Sequence, residues 1–107
     1  MSQHHFATTY QGRPVNVVMG YDRPLRGFFC CVELTDTEDD DYAYCNLSDA
    51  KLFPAMGLAA SVEYFRGVFA ELGLQVPESL FTECICDQAN NVGNRFEVHG
   101  ADGLLAP

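Results

Sequence analysis

The sequence predicts one α+β domain: an antiparallel meander of four strands, two helices packed on one face of it, and a short C-terminal strand, in the order ββββααβ. Three observations lead there. Residues 27–34 read Gly-Phe-Phe-Cys-Cys-Val-Glu-Leu, mostly apolar on both faces, as expected of a central strand contacted from two sides. Leu58, Val62, Phe65, Phe69 and Leu72 recur at steps of four, three, four and three, the period of an amphipathic helix. A chain of 107 residues that is 48% hydrophobic, with eight Phe and five Tyr, has the length and core material of a single domain.

The elements follow in order. Residues 4–10 carry Phe6, Thr8, Thr9 and Tyr10, types that suit a pleated strand. Gln11-Gly12-Arg13-Pro14 is a turn signal, and Val15, Val17 and Met19 then give a second strand its apolar face. Residues 21–26 form the next turn, with Pro24 suited to the first central position of a β-turn. The strand at 27–34 follows, then a polar loop at 35–41 with five acids. Residues 42–47, Tyr-Ala-Tyr-Cys-Asn-Leu, complete the meander.

Pro54 and Gly57 interrupt an apolar linker at 51–60, and the helical stripe begins at Leu58. Gly73 ends that helix in the left-handed conformation, which lets Leu74 fold back on Phe69. Pro77 opens a second helix at a position that loses no amide hydrogen bond. Leu80, Phe81, Cys84, Ile85 and Gln88 make its inner face. Residues 95–99 alternate as a last strand, and residues 100–107 read as a loose tail.

Six basic and fifteen acidic residues leave a net charge of −9. Such a surface repels phosphate backbones and anionic lipid, so nucleic acid and membranes are not expected partners. No basic stretch followed by an apolar run marks an export signal near the N-terminus, and no run is long enough to span a bilayer. The five cysteines are then expected to be reduced, in a cytoplasmic and bacterial setting.

Motifs that carry chemistry are scarce. Cys84-Ile85-Cys86 is not the C-x-x-C of redox or zinc sites, and residues two apart on a helix point about 200° apart. Cys30, Cys31 and Cys45 read as small core hydrophobes rather than ligands, so no metal or cofactor is expected. A nucleophilic enzyme would need a Cys beside His5 or His99, which meet if the first and last strands are neighbours. The acidic loop fails the calcium-loop template: counting from Asp36, position six is Asp41 instead of Gly and position twelve is Leu47 instead of Glu. Arg23 and Arg26 on one turn offer contacts for an anion or a partner's carboxylate, against the plainer reading that Asp22 pairs with one of them.

Two helices cover one side of a sheet, so the other side needs an explanation. Phe29 and Cys31 point away from Phe28, Cys30, Val32 and Leu34, and simple alternation puts Tyr42 and Tyr44 on the same outward side. The expected function is therefore a small acidic, non-enzymatic protein-interaction or regulatory module. Phe29, Cys31, Tyr42 and Tyr44 would form its surface for homodimerisation or partner binding. The alternatives are a small enzyme or ligand-binding domain built on a Cys/His pair, and an acidic mimic of nucleic acid.

Overall fold

A computed structural model describes residues 1–39 and 41–105. The strands are β1 (Ser2–Tyr10), β2 (Arg13–Asp22), β3 (Gly27–Leu34), β4 (Tyr42–Cys45), β5 (Arg95–Gly100) and β6 (Gly103–Leu104). The helices are α1 (Glu63–Leu72) and α2 (Glu78–Ala89), and two short 3-10 turns, Asn46–Ser48 and Ala50–Ala55, precede them. All six strands lie in one sheet, in the order β4-β3-β2-β1-β5-β6. The meander is present as expected, and β5 joins it parallel to β1.

Local chemistry explains each turn. Gln11 and Gly12, at φ of 52° and 79°, make the two-residue loop between β1 and β2, whose left-handed centre matches the twist of the flanking strands. In the next loop the Asp22 carboxylate accepts the Leu25 amide at 3.1 Å, and Arg26 closes the turn at φ 56°. Gly73 caps α1 at φ 73°, and the Leu74 amide returns to the Phe69 carbonyl.

Several boundaries differ from the sequence expectation. Leu58 stands outside the helix, because Ala59 instead forms a backbone bridge with Phe28 beside β3. Pro77 caps α2 from the extended region rather than occupying its first turn. Ile85 is exposed, whereas Asp87 is buried on the inner face of α2. Leu47 lies in a 3-10 turn and is exposed. In the segment expected to be a loose tail, residues 103–104 pair with β5; Ala106 and Pro107 lie outside the described residues.

The core lies between the helices and one face of the sheet. Val15, Val17, Met19 and Tyr21 of β2 and Phe28, Cys30 and Val32 of β3 meet Phe65 and Phe69 of α1 and Leu80, Phe81 and Cys84 of α2. Phe69 and Phe81 join the helices edge to face at 5.9 Å. Arg66 lies over the Phe81 ring at 4.1 Å and pairs with Glu63 and Glu78.

Two glycines test this packing. A Cβ on Gly20 would fall 1.9 Å from the Ser2 carbonyl oxygen and 2.7 Å from the Phe29 ring. Gly67, in the exposed interior of α1, has nothing within 4 Å of that position. In thermal denaturation, Gly20→Ala is expected to destabilise by roughly 1–3 kcal/mol, and Gly67→Ala to stabilise by roughly 0.5–1 kcal/mol.

Candidate functional site

Two features stand out from the packing: a buried polar chain beneath the parallel seam of the sheet, and the uncovered face on the other side. Alternation along β1 sends Ser2, His4 and Phe6 inward. The parallel register sets Phe6 beside His99, and α2 lies above with Ser79, Glu83 and Asp87 on successive turns. Ser79 Oγ meets His99 Nδ1 at 2.8 Å, His99 Nε2 meets His4 Nδ1 at 2.9 Å, and His4 Nε2 meets Asp87 Oδ2 at 2.7 Å. Arg95 donates to Asp87 Oδ1 at 2.8 Å and to Glu83 at 2.6 Å. Although they lie near the two ends of the chain, His4 and His99 are 0% and 2% exposed.

One end of the hydrogen-bonded chain has a fixed direction. Among the described residues His4 Nε2 meets only a carboxylate oxygen, so that nitrogen carries a proton. When the His4 ring is uncharged its Nδ1 accepts from His99 Nε2, and His99 Nδ1 accepts from the Ser79 hydroxyl; when the ring is charged both bonds run the other way. Burial pushes the Asp87 carboxyl upward, but hydrogen bonds from His4, Ser2 and Arg95 more than offset this and hold it below its ordinary range. Burial and the adjacent His4 ring hold His99 below its ordinary value. Among the described residues no buried side-chain nitrogen or oxygen lacks a partner.

Chemically, this arrangement orients the Ser79 hydroxyl through two imidazole rings, and Asp87, held ionised, accepts a hydrogen bond without taking up the proton. A surface cleft of about 660 Å³ lies elsewhere, lined by Tyr44, Asp49, Lys51, Glu63, Tyr64 and neighbouring residues of α1. There Tyr44 and Tyr64 both donate to Asp49 at 2.7 Å. The Cys/His pairing does not form. His4 and His99 are committed as above, and His5 meets Gln3 and Asn16, so all six ring nitrogens have partners other than thiols.

The uncovered face carries Phe29 and Cys31, as expected. Tyr44 is not there. A bulge between Val32 and Glu33 shifts the register, so Tyr44 pairs with Val32 and Tyr42 with Glu33. Ala43 and Tyr44 therefore both pack against the core, Tyr44 6.4 Å from the Phe65 ring, and the pairing returns Tyr42 to the outward side. Cys45, opposite Cys31, takes the outward place that alternation gave to Tyr44. Arg23 and Arg26 stand exposed in the β2–β3 loop, and among the described residues neither forms an ion pair; the Arg23 guanidinium lies over Gly93.

Sequence reasoning missed β5 as part of this face. Phe96 and Val98 point outward at 64% and 42% exposure, and the His5 ring lies 4.5 Å from Phe96. Their alternation with Arg95, Glu97 and His99 was a readable signal; what was unreadable was the position of the strand in the sheet. No family model, curated protein or solved structure matches this chain.

The buried chain makes two predictions. Asp87→Ala strands a buried His4 donor and the Arg95 guanidinium, and should cost about 3–5 kcal/mol in urea unfolding. For pH, the folded His99 resists protonation while the unfolded histidine titrates near 6.5. The unfolded state then binds more protons, so this stabilisation is complete above about pH 6.5 and is lost as pH falls toward the folded value. His5, lowered in the same direction by burial, adds to the decline. Asp87 adds a lower window, with stability present above its unfolded value of 3.8 and lost as pH falls through the folded one. The urea midpoint should fall between pH 7 and 5; a flat or rising midpoint would contradict this assignment.

Proposed function

We propose that this protein is a non-enzymatic interaction module whose uncovered sheet face packs against the same face of a second copy. The observation that carries the reading is the exposure of Phe96 and Val98 on a strand whose opposite side is fixed by the buried chain. Apolar side chains on rigid backbone, continuous with Val18 and Phe29, are the type of surface that interfaces cover. The sheet is six strands wide. At a strand spacing of about 4.8 Å this gives a width of about 24 Å, enough to approach the roughly 800 Å² per partner of an ordinary interface.

The distribution of charge favours self-association over a basic partner. Although the chain carries −9, the outward positions of β1, β2, β3 and β5 hold two carboxylates, Glu33 and, at the end of β2, Asp22, and no Lys or Arg. Two such faces can stack without opposing rows of acids. Repulsion between the rest of the two surfaces then makes association stronger at high salt. Among the described residues no helix is long and apolar enough to cross a membrane. A cytoplasmic, regulatory role belongs to the same reading, with the thiols reduced at rest.

Sedimentation equilibrium in reducing buffer tests it. The wild type should dimerise, more tightly as salt rises, and Phe96→Asp should weaken the dimer at least tenfold, about 1.4 kcal/mol, with the thermal midpoint little changed. A strict monomer at all concentrations, or a dimer indifferent to Phe96→Asp, would overturn the reading.

A further inference from the structure

Of the five cysteines, two meet. Cys31 of β3 and Cys45 of β4 are direct cross-strand partners, and their sulfurs lie 2.9 Å apart on the uncovered face. The others are arranged differently. Cys30 and Cys84 are fully buried on the helix side, and Cys86 lies two residues beyond Cys84 on α2, turned about 200° from it. Directly opposed residues of an antiparallel pair have Cα atoms about 4.5–5.5 Å apart, within the roughly 4.4–6.8 Å that a disulfide spans. Closing the bond takes the sulfurs from 2.9 Å to about 2.05 Å.

The surroundings favour closure at this point. Asn46, buried just after Cys45, accepts from the Cys30 amide at 3.3 Å and donates to the Gly57 carbonyl at 2.6 Å. Its carboxamide oxygen lies 3.6 Å from the Cys31 sulfur, so the same side chain fixes the end of β4 and one of the two thiols. Cys45 lines a groove with Tyr42, Ser48 and Asp49 at the sheet edge, which Cys31 does not, so Cys45 is the thiol open to an oxidant from that side. Cys31 is the inner thiol; burial and the hydrogen bond with Cys45 push it up to about 12.

We propose that Cys31 and Cys45 form a reversible cross-strand disulfide, a redox modification site at the outer edge of the sheet. The oxidant is a low-molecular-weight disulfide. The Cys45 thiolate attacks one of its sulfurs, that S–S bond breaks, and one thiolate departs. Cys31 then loses its proton to solvent and attacks the Cys45 sulfur of the mixed disulfide, and the second thiolate departs. Two protein thiols are oxidised by two electrons, and one small disulfide is reduced to two thiols. The bond would tie the four-residue edge strand β4 covalently to β3. The inference is independent of the proposed self-association, since both sulfurs belong to one chain.

The test uses the full chain, incubated with glutathione disulfide, quenched by alkylation in denaturant so that buried thiols also react, and mapped by mass spectrometry. The expected product is a monomeric chain lighter by two hydrogens, with three of its five thiols alkylated, a Cys31–Cys45 linked peptide, and full reversal by dithiothreitol. In Cys31→Ser, glutathione should remain attached at Cys45. A link involving Cys84 or Cys86, a crosslink only between chains, or five alkylated thiols at equilibrium with excess oxidant would overturn the proposal. The mapping is carried by the wild type, so it stands even if a variant fails to fold.

Discussion

The structure depends on a carboxylate that has no access to water. Asp87 sits under α2, fully buried, and accepts from His4 on β1 and from Arg95 on β5. Those two strands come from opposite ends of the chain and pair in parallel over five residues. A short parallel ladder is a weak contact in itself. The serial hydrogen bonds Ser79–His99, His99–His4 and His4–Asp87 join strand to strand and both strands to the helix. A buried polar network of this kind stabilises only when every member is satisfied, as it is here, and each member is exposed to loss if one is removed.

That constraint gives the two sides of the sheet different characters. On the helix side, β1 and β5 are fixed by ring nitrogens and carboxylates. On the other side, the same strands hold His5, Phe96 and Val98 in place without anything over them among the described residues. On a chain of net charge −9, a face that exposes Phe96 and Val98 and carries carboxylates only at Asp22 and Glu33 along β1, β2, β3 and β5 is separated from most of the solubilising charge. At the far edge, the bulge in β4 places Cys45 rather than Tyr44 beside Cys31, so a redox-capable pair borders the same face.

The meander and both helices were legible because period-two and period-3.6 patterns report which side of an element is buried, and turns announce themselves through Gly, Pro and Asn. The outward placement of Phe29 and Cys31 followed from the same alternation. Tyr44 did not, because a bulge inserts one residue and reverses the side of everything beyond it, and Tyr-Ala-Tyr-Cys carries no mark of where that occurs. The buried chain was hidden for a different reason. His4, Asp87 and His99 are polar residues far apart in sequence, and their burial depends on one another; nothing local to Asp87 distinguishes it from the exposed acids. Ile85 gave the opposite error, an apolar residue on the helix surface that alternation alone assigns inward.

The central claim is that the uncovered face, and not the helical side, meets a second copy. Amide and side-chain NMR spectra recorded over a dilution series test it most directly. The account predicts concentration-dependent shifts at Val18, Phe29, His5, Phe96 and Val98, with α1 and α2 unchanged. Shifts confined to the helices, or spectra independent of concentration, would contradict it.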